Sequence, residues 1–192
     1  MPADVFHFRQ FSIRQDQCAM KISTDGILLG AWAPLAHAKH ILDVGTGTGL
    51  LALMAAQRAL QARIVGLELD LNAAQQAAQN AAASPWADRI RIEGADFLSW
   101  EAPMEFDHII CNPPYFFEGI PSADKSRALA RHISPEHLAD WLTQFARVSH
   151  PNAKLSMVFP RESIKRLQSL ALDAGWHLAE LIHLHLTILI KS

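Results

Sequence analysis

The sequence is poor in cysteine, in long apolar runs and in signal-like segments, and each shortage excludes a class of protein. Cys18 and Cys111 are the only cysteines, and neither stands in a metal-binding spacing. No apolar run approaches the ~20 residues that span a bilayer. The first residues, Met1-Pro2-Ala3-Asp4, do not resemble a secretory signal. We therefore expect a soluble, cytoplasmic protein whose two thiols stay reduced.

An excess of charge is also missing. The formal net charge is −2, from 17 Lys and Arg against 19 Asp and Glu. This balance gives no overall attraction to nucleic acid, so such a partner would have to be held by local basic patches. There are two candidate patches: the first comprises Lys125, Arg127 and Arg131, and the second comprises Arg161, Lys165 and Arg166. A solvated helix face explains each of these patches about as well as a contact with phosphates does.

From residue 40 onward, short apolar strands alternate with helical stretches, which is typical of a mostly parallel α/β sheet. Strands are predicted at 40–44, 63–68, 90–94, 107–111 and 154–159. Helices are predicted at 50–60, 72–83, 135–149 and 162–174. These elements need almost all of the 192 residues, and about 100–200 residues is the usual size of one domain. We therefore predict one domain, residues 1–192, with a Rossmann-like, doubly wound sheet.

The first 39 residues are predicted to form an extension of this core. Apolar residues near the start suggest a short β-hairpin: Phe6, Phe8, Phe11 and Ile13. Thr24 is predicted to cap an apolar helix from Ile27 to Ala33. We expect residues 1–39 to cover one end of the sheet formed by residues 40–192.

The last residues predict an incomplete hairpin. Residues 176–191 suit two antiparallel strands, but residues 183–188 contain no Gly, Pro, Asn or Asp to turn the chain. Two explanations stay open: the natural chain is truncated, or loop residues are absent from the sequence.

A glycine-rich turn joins the first predicted strand to the first helix. It contains Asp43, Gly45, Gly47 and Gly49, in the spacing D-x-G-x-G-x-G. Glycines allow a ligand to approach the backbone, and the helix N-terminus adds a favourable dipole. A dinucleotide site would place the third glycine one residue later. The observed spacing suits the amino-acid end of S-adenosylmethionine, whose ammonium group Asp43 can meet directly or through water.

Acidic residues follow the next two predicted strands. Glu68 ends the second strand about 20 residues beyond the glycines, where a carboxylate can accept from both ribose hydroxyls of a nucleoside. Asp70 is predicted to be a helix N-cap instead. Asp96 follows the third strand and can accept from an adenine amino group, while Phe97 packs on the ring. A capping Asp and a core Phe are the alternative interpretation.

The tetrapeptide Asn112-Pro113-Pro114-Tyr115 directly follows the apolar run 109–111. Alone, it would indicate only a proline-rich turn. After a strand and beside the glycine-rich turn, it indicates a site that methylates a planar amino group. The prolines remove two backbone donors, so carbonyls are left as acceptors beside the Asn112 amide oxygen. Accepting both amine hydrogens makes the nitrogen more nucleophilic, and Tyr115 can lie against the ring that carries it.

These motifs and the N-terminal sequence resemble the bacterial tRNA adenine-N6-methyltransferases that modify adenosine-37 of a valine tRNA. The resemblance covers nearly the whole chain and is most specific at residues 8–11 (FRQF), 15–21 (QDQCAMK) and 24–32 (TDGILLGAW). It implies a class I methyltransferase fold, S-adenosylmethionine as the cofactor and tRNA as the partner. It also implies that the N-terminal segment closes over the methionine end of the cofactor through Lys21 and Thr24.

Three other functions stay open on the sequence alone. A protein-glutamine N5-methyltransferase would offer a side-chain amide to the same tetrapeptide, but such enzymes usually carry a helical N-terminal domain. A guanine-N2 methyltransferase is the second alternative. The third is a non-catalytic binding module that keeps the cofactor fold, against which the intact tetrapeptide argues. We expect a monomer with neither a metal nor a membrane partner.

Overall fold

The computed structural model describes residues 4–18, 20–113 and 135–182. An antiparallel hairpin of β1 (Val5–His7) and β2 (Ser12–Arg14) comes first. The strands of the central sheet are β3 (His40–Val44), β4 (Arg63–Glu68), β5 (Ile90–Gly94), β6 (Phe106–Cys111) and β7 (Ser149–Met157). The α-helices of the described part are α1 (Thr24–Trp32), α2 (Leu50–Arg58), α3 (Leu71–Ala82), α4 (Pro135–Arg147) and α5 (Ile164–Asp173).

The central sheet has the order β5-β4-β3-β6-β7, and every pairing in it is parallel. The chain moves outward from β3 to β5 and then returns to the other side of β3 with β6 and β7. This is the predicted doubly wound topology. Its direction reverses between β3 and β6, and such a switch point opens a crevice at the carboxyl ends of the two strands.

Both faces of the sheet are apolar because strand residues point alternately to opposite sides. Leu42 of β3 packs in one core cluster with Leu142 and Phe145 of α4. Its neighbour Ile41 packs in a second cluster with Ala52 and other residues of α2. Full burial of a side chain of this size is worth about 1.5–3 kcal/mol. Helices on both faces therefore follow from strands that are hydrophobic throughout.

The helix caps agree with the sequence at one position and differ at another. Asp70 caps α3 as predicted, because its carboxylate accepts from the backbone N–H groups of Asn72 and Ala73. The prediction that Thr24 caps α1 is wrong. The cap is Ser23, whose hydroxyl accepts from the Gly26 N–H at 3.1 Å, and Thr24 is the first helical residue. Both residues carry a hydroxyl suited to capping, and the backbone path decides between them.

The predicted N-terminal hairpin is confirmed, whereas two predictions near the C-terminus are corrected. The last strand, β7, begins at Ser149 rather than at 154. Its pairing with β6 shifts register between Phe106 and His108 of β6, and Pro151 lies in the part of β7 that faces this shift. Such an irregularity tolerates a residue without an N–H donor. Residues 176–182, predicted to start a strand, have none. The remainder of that predicted hairpin lies outside the described residues. No helix in the described ranges is long and apolar enough to cross a membrane.

Candidate active site

The carboxyl ends of the parallel strands bring the predicted site residues to one edge of the sheet. The last residues of neighbouring strands lie side by side: Val44 with Leu67 and Cys111, and Glu68 with Gly94. The glycine-rich turn, Asp96 and Asn112 follow these strand ends within two residues. Four motifs that are far apart in sequence therefore meet along one edge. Two of them, the glycine-rich turn and Asn112, flank the switch point.

The glycine-rich turn needs glycine at all three positions. Gly45, Gly47 and Gly49 have φ values of 70°, 54° and 84°, in the left-handed region that other residues rarely adopt. A Cβ added at Gly45 would meet no atom within 4 Å, so open space lies above this residue. A Cβ at Gly49 would lie 3.5 Å from Ala77 of α3. Gly45 and Gly47 thus border a cleft, whereas Gly49 faces Ala77 of α3.

Asp43 holds the glycine-rich turn from below. Its Oδ2 accepts from the Thr46 hydroxyl at 2.6 Å and from the Ala52 N–H at 2.9 Å. The side chain is 0% exposed, and this burial raises the pKa of Asp43 to about 7 despite the two hydrogen bonds. The geometry makes Asp43 a support for the turn. Its predicted contact with an ammonium group, directly or through water, stays a prediction.

Glu68 lies next to the glycine-rich turn at the end of β4. Its Oε2 accepts from the Gly47 N–H at 2.8 Å, and its Oε1 accepts from the Asp70 N–H at 3.1 Å. The carboxylate is half-buried, so one side remains open to solvent. This position is suited to a diol, because two carboxylate oxygens can accept from two adjacent hydroxyls.

Asp96 and Phe97 occupy different environments although they are neighbours. Asp96 is exposed beyond the end of β5, where its carboxylate accepts from the Leu98 N–H at 3.2 Å. Phe97 is 4% exposed, and its ring contacts Trp141 and Phe145. Core packing accounts for Phe97, so little of its ring remains for an adenine. Asp96 is free of the core and retains acceptor capacity at the edge of the sheet.

Asn112 follows β6 and carries an unusual oxygen. Its Oδ1 is buried and has no hydrogen-bond partner among the residues that the structure describes. A Cβ built on Gly26 of α1 would lie 3.5 Å from the Asn112 Nδ2, so the N-terminal helix approaches this amide closely. Pro113 is buried beside it. Pro114 and Tyr115 lie outside the described residues.

The N-terminal segment forms a wall of the same cleft. Residues 20–23 and residues 45–48 of the glycine-rich turn line it together with Gly26, Leu50, Leu51 and Asn112. Lys21 therefore lines the cleft, and its predicted contact with the cofactor stays a prediction. Thr24 is exposed on the first turn of α1 and does not line the cleft.

Three residues that shape the site were not predicted from the sequence. Gly26 lies where α1 meets Asn112 and Leu50, and a Cβ built on it would be 3.2 Å from the Leu50 Cδ2. Gln76 and Asn80 are almost fully buried on α3 and bind the N-terminal segment. Polar residues four positions apart in an Ala-rich helix predict a solvated face, so no local signal distinguished them. In the described ranges, no group of three His, Cys, Asp or Glu is arranged to hold a metal.

A five-stranded parallel sheet with a glycine-rich turn, a strand-end carboxylate and an Asn-Pro turn at its switch point defines a class I methyltransferase. Solved structures show the same fold. A ribosomal protein L11 methylase from Lactobacillus delbrueckii subsp. bulgaricus superposes with a TM-score of 0.61, at 16% identity, over 83% of this chain and 71% of that one. The S-adenosylmethionine-dependent methyltransferase SibL, in its apo form, superposes with a TM-score of 0.58 at 16% identity, over 78% of this chain and 48% of that one.

Sequence comparison identifies the family. The sequence model of the methyltransferase small domain family matches residues 23–134 of this chain. The tRNA1(Val) (adenine(37)-N6)-methyltransferase of Tolumonas auensis is 49% identical over 174 residues, which are 90% of this chain and 73% of that protein. The chain belongs to the tRNA1(Val) (adenine(37)-N6)-methyltransferase family. It is a methyltransferase, and S-adenosylmethionine is its cofactor.

The residues at the sheet edge fit this cofactor. The space above Gly45 admits a ligand close to the backbone, and the open side of Glu68 offers acceptors to a ribose. The buried Asn112 oxygen still lacks a hydrogen-bond donor within the described structure. The ribose of a nucleoside supplies hydroxyl donors to Glu68, and an amine supplies an N–H donor to Asn112.

Proposed function

We propose that the protein transfers a methyl group from S-adenosylmethionine to the N6 amino group of adenosine-37 in a valine tRNA. The family supports this substrate, because the relatives carry it in their names. The single structural observation that carries the proposal is the buried Oδ1 of Asn112, which has no hydrogen-bond partner among the described residues. A buried acceptor without a donor costs about 1–3 kcal/mol. An incoming amine removes that cost, so the site favours a substrate with an N–H group at this point.

Cofactor binding is assigned to residues on both sides of the cleft. Glu68 accepts from the ribose hydroxyls, and Asp96 accepts from the adenine amino group. The backbone of Gly45 and Gly47 approaches the methionine end, which Lys21 covers from the opposite wall. Four further residues act around these contacts. Thr24 begins the helix that follows the wall, Gly49 faces α3, Asp43 holds the glycine-rich turn, and Phe97 fixes the backbone beside Asp96.

Asn112 and Pro113 prepare the target nitrogen. The Asn112 Oδ1 accepts one hydrogen of the exocyclic amine, and the Pro113 carbonyl accepts the other. Together they draw the nitrogen lone pair out of conjugation and hold it in one orientation. When bound, the cofactor supplies an electrophilic methyl group on its sulfonium. Tyr115 is assigned to stack on the flipped base, and Pro114 to stiffen the turn between them.

A basic surface beside this site suits tRNA. Arg161 comes four residues after Met157, which pairs with Cys111 at the end of β6. The start of α5 therefore lies at the same edge of the sheet as Asn112. Arg161, Lys165 and Arg166 are all exposed. We assign these three residues to tRNA phosphates, because the near-neutral net charge requires local contacts. The other predicted cluster lies outside the described residues.

The assay is methyl transfer from labelled S-adenosylmethionine into purified tRNA and, separately, into a protein extract. Label in tRNA supports the proposal, and label in protein alone would replace it with the glutamine N5 reaction. Asn112→Ala tests the site, with Asn152→Ala as the matched control because Asn152 is exposed near the start of β7. Only the first substitution should abolish transfer.

The remaining assignments concern the whole chain. We place the protein in the cytoplasm, where tRNA is modified, and we assign residues 1–192 to one domain that acts as a monomer. Size-exclusion chromatography with light scattering measures the molar mass directly. A molar mass twice that of one chain would contradict the monomer, and the surface between the two copies would then be closed to tRNA.

A further inference from the structure

The N-terminal wall of the cleft is formed by a segment that has no regular structure after its first residue. Residues 14–18 and 20–22, here called the strap, run from Arg14, the last residue of β2, towards α1. Its last residues line the cleft opposite the glycine-rich turn. Within the strap, the Gln15 Oε1 accepts from the Ile22 N–H at 3.1 Å, which folds the segment back on itself. A segment of this kind needs external contacts to stay in one place, because ordering each residue costs about 1–2 kcal/mol.

Asn80 of α3 supplies the first set of contacts. Its Oδ1 accepts from the Arg14 N–H at 2.9 Å, and its Nδ2 donates to the Arg14 carbonyl at 2.9 Å. The same Nδ2 also donates to the Thr48 carbonyl at 2.9 Å. One side chain therefore joins the end of β2, where the strap begins, to the glycine-rich turn. Asn80 is only 3% exposed, so water does not compete for these bonds.

Gln76 supplies the second set, one helical turn earlier on the same face of α3. Its Nε2 donates to the Asp16 carboxylate at 2.8 Å, and its Oε1 accepts from the Gln17 N–H at 3.2 Å. Gln76 is 1% exposed. Both polar atoms of this buried amide form hydrogen bonds with the strap. Because both bonds must be made at once, they fix the strap in one position.

We propose that Gln76 and Asn80 are positioning residues for S-adenosylmethionine, which they do not touch: their amides hold the strap over the cofactor cleft. The inference rests on the proposed cofactor site. The helix that carries both amides is capped by Asp70, whose N–H donates to the Glu68 carboxylate. The assigned ribose acceptor and the strap are thus tied to one rigid element. Cofactor affinity depends on this arrangement, since a loose strap must be ordered again with each binding event.

A pair of exchanges tests the bond itself. Gln76→Glu places a carboxylate against Asp16 and should weaken cofactor binding by about 10-fold or more. Asp16→Asn leaves an acceptor for Gln76 and should change affinity less than about threefold. Combining the two restores a donor and an acceptor with their directions reversed. The combined variant should regain affinity to within about threefold of the unchanged protein.

Calorimetry gives the Kd for S-adenosylmethionine, and a methylation assay gives kcat at saturating cofactor. The expected pattern for Gln76→Glu is a raised Kd and KM for the cofactor with nearly unchanged kcat, and recovery in the combined variant. Arg89→Ala is the control for general destabilisation. It removes hydrogen bonds of 2.7 to 3.0 Å to the carbonyls of Ala56, Ala59 and Ala62, near the opposite edge of the sheet. It should lower Tm and leave Kd unchanged.

Two results would overturn the inference. One is a lower Tm for Gln76→Glu with an unchanged Kd, because that describes a purely structural residue. The other is a weakened Kd that Asp16→Asn fails to restore. Glu68→Ala, measured alongside, separates this inference from the proposed site. If both Glu68→Ala and Gln76→Glu leave the Kd unchanged, the proposed cofactor site itself is wrong. If Glu68→Ala weakens binding and Gln76→Glu does not, the site stands and only the role of the strap contacts is refuted.

Discussion

Replacing Glu68 by alanine should weaken S-adenosylmethionine binding, because the assigned ribose hydroxyls lose a charged acceptor. Hydrogen bonds to charged groups are worth about 1.5–3 kcal/mol, which corresponds to a roughly 10- to 150-fold rise in Kd. The substitution also removes the 2.8 Å bond from the Gly47 N–H to the carboxylate. The glycine-rich turn then loses one of its supports, so the upper part of this range is expected.

Isothermal titration calorimetry measures this effect, and Asp70→Ala is the matched control. Asp70 is two residues away and caps α3, with its carboxylate bound to Asn72 and Ala73. Losing the cap should lower the free energy of unfolding by about 0.5–2 kcal/mol while leaving Kd nearly unchanged. An unchanged Kd in Glu68→Ala would refute the ribose assignment. Equal losses of affinity in both variants would show that only the stability of α3 matters.

Three further predictions concern pH, helix capping and RNA contacts. Burial raises the pKa of Asp43 to about 7 and lowers the pKa of His108 to about 4. Acidification from pH 7 to 4 should therefore stabilise the fold through Asp43 and destabilise it between about pH 6.5 and 4 through His108, by roughly 3 kcal/mol each. In urea unfolding, Asp43→Asn should leave a net loss of stability on acidification and His108→Gln a net gain; unchanged pH profiles would contradict both assignments. Ser23→Ala should lower the free energy of unfolding by about 1 kcal/mol, and an equal loss in Thr24→Ala would contradict the observed cap. Arg161→Ala should weaken tRNA binding and reduce the slope of log K against log salt by about 1, and an unchanged slope would place the phosphates elsewhere.

The sheet was predictable because its signals are local. The alternation of strands and helices predicts a parallel sheet. Asp70 predicts the start of α3, and the glycine-rich turn predicts the start of α2. Gly49 illustrates the limit of such signals. Its φ of 84° explains why glycine is needed, but only the fold shows that it faces Ala77 rather than the cleft.

The site was predictable at the strand ends and not at the contacts between distant segments. Glu68 and Asn112 stand directly at or after apolar strands, so the topology alone brings them to one edge. Gln76 and Asn80 bind residues about 60 positions earlier in the chain, and nothing near them in sequence indicates that pairing. Phe97 shows a related ambiguity, since an aromatic residue after a strand can serve a core or a ligand, and its contacts with Trp141 and Phe145 favour the core.

The assignment of Asn112 to the target amine is tested most directly by the chemical identity of the product. Valine tRNA is incubated with the protein and S-adenosylmethionine, digested to nucleosides and analysed by mass spectrometry, in parallel with Asn112→Ala. We expect N6-methyladenosine at position 37, and a loss of about 100-fold or more in the rate for the variant while its cofactor affinity is largely kept. N2-methylguanosine as the sole product would contradict the substrate, and full activity of Asn112→Ala would contradict the mechanism.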